Sequence, residues 1–248
     1  MRIIGASVSI AGLGRGSVGG GPRAVISWAV EVGARAVTLD GALPGLRARE
    51  LGRSARRDLA ALLGRAELGF AGIDLWIPTE HFGAGEHADR AVAAVGEALE
   101  LASELAGLAG GDAVVSVSLP EDGAARPALL AAAERTGAAI ADVRWPAAAD
   151  AIGVGLDPAT LIAAGADPIE ASSGVADRLV SARLSDLGPA GRIEPGAEGG
   201  RLDLGAYAAV LGSLTELDRV IVDLRGLRGV DHAARRVLER WSSAQAAF

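Results

Sequence analysis

Short runs of β-branched and aliphatic residues alternate with longer Ala-, Leu- and Arg-rich stretches of helical period throughout the 248-residue chain. That alternation narrows the fold more than any other feature of the sequence. Eight strand-like runs fall at 3–10, 36–40, 71–77, 113–119, 138–144, 152–157, 179–186 and 219–225. Helix-like stretches lie between them at 22–32, 54–67, 89–106, 127–136, 207–213 and 231–241. Ser54 is placed as an N-cap, Pro22 and Pro127 suit first turns, and Gly33 and Gly137 stand where helices end in a left-handed residue. The link 145–151 is too short for a helix, and 158–177 is weakly helical. A strand followed by a covering helix, repeated, demands a parallel sheet. Eight such units in a chain near the ~250 residues of a closed barrel predict a single (β/α)8 TIM-barrel domain over 1–248. An open doubly wound sheet satisfies the same alternation. The Gly/Pro-rich stretch 188–200 follows the seventh strand, and in a barrel it lies at the rim, where loops carry function.

Composition then removes whole classes of chemistry. Half the residues are apolar and 22% are charged, enough for a large core and too apolar for disorder. There is no Cys, so thiol catalysis, thiolate metal sites and disulfides are excluded. All 24 basic residues are Arg, which excludes Schiff-base chemistry on Lys and a P-loop Lys. The three His (His81, His87, His232) are too scattered for a three-His zinc site. A net charge of −7 argues against nucleic acid and anionic membrane surfaces as partners. The Gly- and Ser-interrupted start reads as a strand rather than a signal peptide, so a cytoplasmic protein is expected.

Gly14-Arg15-Gly16-Ser17-Val18-Gly19 matches G-x-G-x-x-G, and Asp40 ends the next strand, the outline of a dinucleotide site. A dinucleotide helix begins inside that motif, whereas Gly20-Gly21-Pro22 delays it here. An irregular first βα loop is therefore expected, with an NAD-binding Rossmann oxidoreductase as the lesser alternative.

Four segments together resemble the xylose-isomerase-like sugar isomerase/epimerase family. Ile73-Asp74-Leu75-Trp76-Ile77-Pro78 followed by His81-Phe82 is similar to that family's third strand and its exit. Gly153-Val154-Gly155-Leu156-Asp157-Pro158 is similar to the sixth, Val180 to Asp186 (VSARLSD) to the seventh, and Val220-Ile221-Val222-Asp223 to the eighth. The resemblance implies a TIM barrel and a divalent cation, Mn²⁺ or Mg²⁺, held by Glu, Asp, His and Glu. It also implies that the two Glu move a proton through an enediol. The corresponding positions here hold Asp142, Asp157, Arg183 and Asp223. An arginine stays protonated and cannot ligate a metal, so no tightly held cation or other cofactor is expected.

In that setting Arg183 is expected to point into the barrel and to neutralise Asp142, Asp157 and Asp223. Residues 183 and 186 lie on opposite faces of a regular strand, which separates Arg183 from Asp186. The expected catalytic group is Asp142 or Asp223 as base with Arg183 as electrostatic stabiliser, and Asp157, Trp76, His81, Trp145 and Arg225 as substrate-binding residues. Two functions compete. One is metal-independent proton abstraction from a small sugar or polyol. The other is a non-catalytic descendant that binds a small ligand or a partner. Trp241 and Phe248, on the last helix, are expected on the barrel wall or at a contact between copies.

Overall fold

The computed structural model describes residues 2–11, 13, 21–83, 85–121 and 123–247. The Gly14–Gly19 motif and Phe248 lie outside them.

Eight parallel strands close into a barrel: β1 (Gly5–Ser9), β2 (Ala36–Asp40), β3 (Gly69–Asp74), β4 (Val114–Val117), β5 (Ala139–Asp142), β6 (Gly153–Leu156), β7 (Leu179–Leu184) and β10 (Arg219–Val222). Their order around the barrel follows the chain, with β10 pairing β7 on one side and β1 on the other. The open sheet is thereby excluded. Helices α1 (Gly21–Glu31), α2 (Arg53–Arg65), α3 (Glu86–Ala109), α4 (Ala125–Thr136), α5 (Pro158–Ala163), α6 (Pro168–Gly174), α7 (Leu204–Leu214) and α8 (Val230–Ala246) cover it. No helix among the described residues is long and apolar enough to cross a membrane.

Gly137 ends α4 in the left-handed conformation, as expected. Ser54 is not a cap, because α2 starts one residue earlier behind Gly52. The stretch 188–200 is not simply a loop either. It is part of an antiparallel hairpin, β8 (Asp186–Gly188) with β9 (Gly191–Ile193), that rises from the end of β7.

Alternation along the strands divides the residues between two environments. Val8, Val37, Val115, Ile140, Leu184 and Val222 belong to one buried apolar cluster with Leu63, Leu99, Leu129, Val237 and Trp241 of the helices. Ser7 and Thr38 turn inward, their hydroxyls 3.2 Å apart. Trp241 packs on the barrel, its indole donating to the Ile4 carbonyl at 3.0 Å. Trp28 of α1 donates to Asp231 of α8 at 2.6 Å, tying the first helix to the last.

One irregularity decides which side chains reach the mouth. Val37 pairs with Phe70 and Leu39 with Ile73, so between them Thr38 of β2 faces both Ala71 and Gly72 of β3. Gly72 carries this bulge at φ +108, and a Cβ there would stand 2.6 Å from the Val114 carbonyl oxygen. The extra residue shifts the alternation, so that Asp74 rather than Ile73 turns into the barrel.

Gly72→Ala is expected to cost about 2–4 kcal/mol, because it combines positive-φ strain with overlap on a neighbouring backbone. Gly137→Ala, at φ +69 in open space, should cost only about 1 kcal/mol. Thermal and denaturant melts of the two variants will check the ranking.

Candidate functional site

The C-terminal ends of the strands carry a closed set of alternating charges. Arg183, near the end of β7, has no exposed surface. Its guanidinium makes a two-pronged ion pair with Asp74, with Nη1 3.3 Å from Oδ2 and Nη2 on Oδ1. Nη1 also lies 3.6 Å from Asp223. Ser9, at the end of β1, donates to the same Asp74 carboxylate.

Arg225 and Arg192 close the outer side. Arg225 donates to Asp223 through Nε at 2.9 Å and to Asp157 through Nη2 at 2.9 Å. Arg192, on β9, bridges the same two acids, with Nη1 3.1 Å from Asp223 and Nη2 on Asp157. Ser185 donates to the other oxygen of Asp157. Three guanidiniums thus meet three buried carboxylates. Trp76 lies beside them, its ring 3.5 Å from the Arg225 guanidinium carbon and 4.9 Å from that of Arg183. Contacts of this kind are worth ~0.5–2 kcal/mol each.

Burial pushes the Asp223 carboxyl up, but the hydrogen bond from Arg225 and the charges of Arg183, Arg225 and Arg192 outweigh it. The carboxyl is held far below the usual carboxylate range. Asp157 follows the same pattern, with burial opposed chiefly by Arg192 and then by Arg225, and it too is lowered. Burial alone would drive a proton off Arg183, but Asp74 and Asp223 reverse that and hold it charged.

Asp40 behaves differently. It ends β2 directly opposite Asp74 in the strand register and faces the same interior as Thr38, two residues earlier. It is half-buried, and among the described residues no arginine pairs with it within ion-pair distance. Burial, reinforced by the charge of Asp74, raises its carboxyl above the usual range despite the hydrogen bond from the Ala42 amide.

Several expected site residues fall elsewhere. Asp142 does not meet Arg183. It is taken by Arg126 of α4 at 2.9 Å and by the Leu119 and Arg144 amides at 3.1 Å each. His81 is exposed on the turn after β3, its ring stacked on His87 at 5.4 Å. Trp145 is half-buried over a surface groove lined by Ala166, Glu170 and Gly174. Asp74, Arg192, Ser9 and Ser185 belong to the cluster although the sequence did not single them out as site residues. For Asp186 the expected separation from Arg183 holds: it instead accepts the Arg201 and Leu202 amides at 2.9 Å each.

The positions that the family resemblance assigns to a divalent cation do not fit one. Among the described residues no group of three or more His, Cys, Asp or Glu converges as a cation site. Asp223 spends both oxygens on guanidiniums, Asp157 spends one on guanidiniums and the other on Ser185, Asp142 is bonded away from them, and Arg183 stands beside them as a fixed cation.

No family model matches the chain, and no curated protein matches it in sequence. Solved structures do match in shape. A xylose isomerase domain protein from Planctomyces limnophilus aligns over 99% of this chain and 95% of its own at 18% identity, with a TM-score of 0.64. An L-ribulose 3-epimerase aligns over 100% and 95% at 14% identity and a TM-score of 0.69. A 3-keto-D-glucoside 4-epimerase from E. coli aligns over 97% and 99% at 13% identity and a TM-score of 0.67. The fold is the xylose-isomerase-like barrel. Within that barrel, guanidiniums pair with Asp157 and Asp223, two of the acids that the family resemblance assigns to a metal.

Arg183→Ala strands Asp74 in a fully buried position beside Asp223. Breaking one side of such a pair costs about 3–5 kcal/mol, against the ~0–1 kcal/mol of an exposed pair. Thermal melts at pH 8 should therefore place Arg183→Ala far below the parent. The deficit should shrink on acidification, because protonating a stranded acid removes its buried charge. The parent runs the other way. Asp223 and Asp157 have lowered folded values, so their stabilisation is complete above the unfolded value of 3.8 and drains away as pH falls below it. A variant that melts with the parent at every pH would show that the pair carries no stability.

Proposed function

We propose that this chain binds a small sugar or polyol at the C-terminal mouth of the barrel. It acts there by isomerase- or epimerase-type proton transfer, without a tightly bound divalent cation. The pairing of Asp74, Asp157 and Asp223 with Arg183, Arg192 and Arg225 carries this reading. Fixed positive charge concentrated at the strand ends supports stabilisation of a developing oxyanion there and leaves a metal no free ligand set. The sugar epimerases among the structures of similar shape support the substrate class.

The chemistry needs a carboxylate that takes the proton from a carbon next to a carbonyl. The electron pair then moves onto the carbonyl oxygen, and the proton returns to carbon. A guanidinium facing that oxygen stabilises the enediolate, as a preorganised positive charge does generally. Arg225 and Arg192, both partly exposed, are positioned to face a ligand. Asp223 and Asp142 were the bases expected from sequence. Asp223 is a weak base because three guanidiniums hold it ionised far below neutrality, and Asp142 is committed to Arg126. Asp40 is the better proton acceptor, since it faces the mouth, remains partly accessible and binds its proton more tightly than an ordinary Asp.

The same depressed Asp223 favours a second reading, a non-catalytic ligand-binding descendant. Incubation with ketopentoses and ketohexoses in D₂O, followed by NMR, separates the two. Wild type is expected to exchange the proton next to the carbonyl, with EDTA having no effect, and Asp40→Asn to lose exchange while still binding. Saturable binding with no exchange on any sugar would establish the non-catalytic reading instead. Calorimetric titration with Mn²⁺ should show no stoichiometric uptake, and an ion held by Asp157 and Asp223 would overturn the metal-free proposal.

Asp40→Asn carries a further expectation on stability. A carboxyl with a raised folded value penalises folding once it is ionised, and the penalty vanishes below the unfolded value of 3.8. The substitution should therefore raise the melting temperature at pH 7 and leave it unchanged near pH 3. Such a gain is the usual mark of a residue kept for function at a cost in stability.

A further inference from the structure

The charged cluster at the strand ends is covered. The side chains of Asp74, Asp223 and Arg183 have no exposed surface, and that of Asp157 has 3%. A ligand at the mouth cannot touch these groups while their cover is in place. Part of that cover is the hairpin β8–β9, whose Arg192 lies over Asp157 and Asp223 with 22% of its own side chain exposed.

Arg192 differs from the other two guanidiniums in what carries it. Arg183 is part of β7, and Arg225 follows the end of β10 by three residues. Arg192 belongs to a ribbon of three residues a side, and a two-stranded ribbon is marginally stable by itself. The ribbon is fixed at its root. Asp186 accepts the Arg201 and Leu202 amides, Leu187 packs on the edge of the core, and Glu194 is gripped by Arg236 and Arg240 at 2.8 and 3.1 Å. Its tip, Pro189-Ala190, is exposed. The stem of Arg192 runs across Gly226, where a Cβ would stand 3.5 Å from the Arg192 Cβ.

Arg192 differs also in what its departure leaves behind. Asp157 keeps Arg225 at 2.9 Å, and Asp223 keeps Arg225 at 2.9 Å with Arg183 at 3.6 Å. Removing Arg183 strands Asp74, whereas withdrawing Arg192 strands no acid. Of the three guanidiniums, Arg192 alone combines a low-stability carrier with partners that stay paired. Elements that move on binding are drawn from such parts of a fold.

We propose that β8–β9 is a latch over the mouth, closed by the bridge from Arg192 to Asp157 and Asp223 and opened when that bridge breaks to admit a ligand. The latch rests on the reading of the mouth as a ligand site. Lids of this kind sequester a bound ligand from water and set its rates of entry and release.

The chain has no Cys, so Ser54→Cys at the start of α2 and Ala190→Cys at the hairpin tip, both exposed positions, take two spin labels and nothing else does. Pulsed electron-spin distance measurements without any sugar are expected to give one dominant separation, and a second, longer one as the major population when Arg192→Ala is added. Arg192→Ala should melt close to the parent and far above Arg183→Ala. An unchanged separation would show that the hairpin is held without Arg192 and would overturn the latch, whatever the mouth binds. A melt as low as that of Arg183→Ala would make Arg192 a structural bridge and overturn it too. Stopped-flow association of D-fructose supplies a readout that a lost contact does not move. With an open state populated at ~10% or less, removing the latch should raise the association rate about ten-fold or more, whereas losing a contact raises dissociation alone. An association rate unchanged in Arg192→Ala counts against the latch. If D-fructose binds neither protein, the sugar reading fails, and the spin-label separations decide the latch by themselves.

Discussion

A guanidinium with no exposed surface sits among the strand ends at the C-terminal side of the barrel, and much of that end is arranged around it. Taking an arginine out of water is tolerable only when carboxylates repay its lost hydration. Arg183 meets that demand through Asp74, with Asp223 beside it. Asp74 reaches Arg183 because of the bulge at Gly72, and Asp223 is balanced in turn by Arg225 and Arg192. One buried charge therefore links the ends of β3, β7 and β10 and, through Asp223, the hairpin β8–β9.

The arrangement bears on chemistry as well as stability. Carboxylates clustered at a barrel mouth repel one another and require positive charge among them. Where a bound cation supplies it, affinity and activity depend on the ion. Here the chain supplies it through side chains fixed by covalent attachment and hydrogen bonds. Asp157 and Asp223, held by guanidiniums, are lowered, whereas the Asp40 carboxyl, whose environment is the reverse, is raised. Two carboxylates on one rim are thus driven in opposite directions by their neighbours.

The strand–helix alternation made the barrel legible, and the motifs at 153–158 and 220–223 correctly marked the ends of two strands, β6 and β10. Alternation by two also placed Arg183 inward and apart from Asp186. Other features were out of reach for identifiable reasons. Asp74 lies within the third-strand motif yet does not read as a site residue from sequence, because an unbroken period of two from Ala71 points Ile73 inward and a local pattern cannot reveal a bulge. Arg192 lay in a stretch rich in Gly and Pro that reads as a loop, and only pairing with residues 186–188 lifts it over the mouth. Asp142 sat at the right strand end, but Arg126, distant from it in space until α4 packs, takes it away.

By itself the sequence determined the class of fold, the absence of thiol and lysine chemistry, and the presence of arginine where a metal-binding histidine was expected. These follow from composition and short-range period, which hold before the chain closes on itself. Which acid partners which arginine was decided only by tertiary structure. An ion pair depends on distances of a few ångströms between residues far apart in the chain, 109 positions for Asp74 and Arg183. Barrel closure, one bulged strand and one hairpin set those distances.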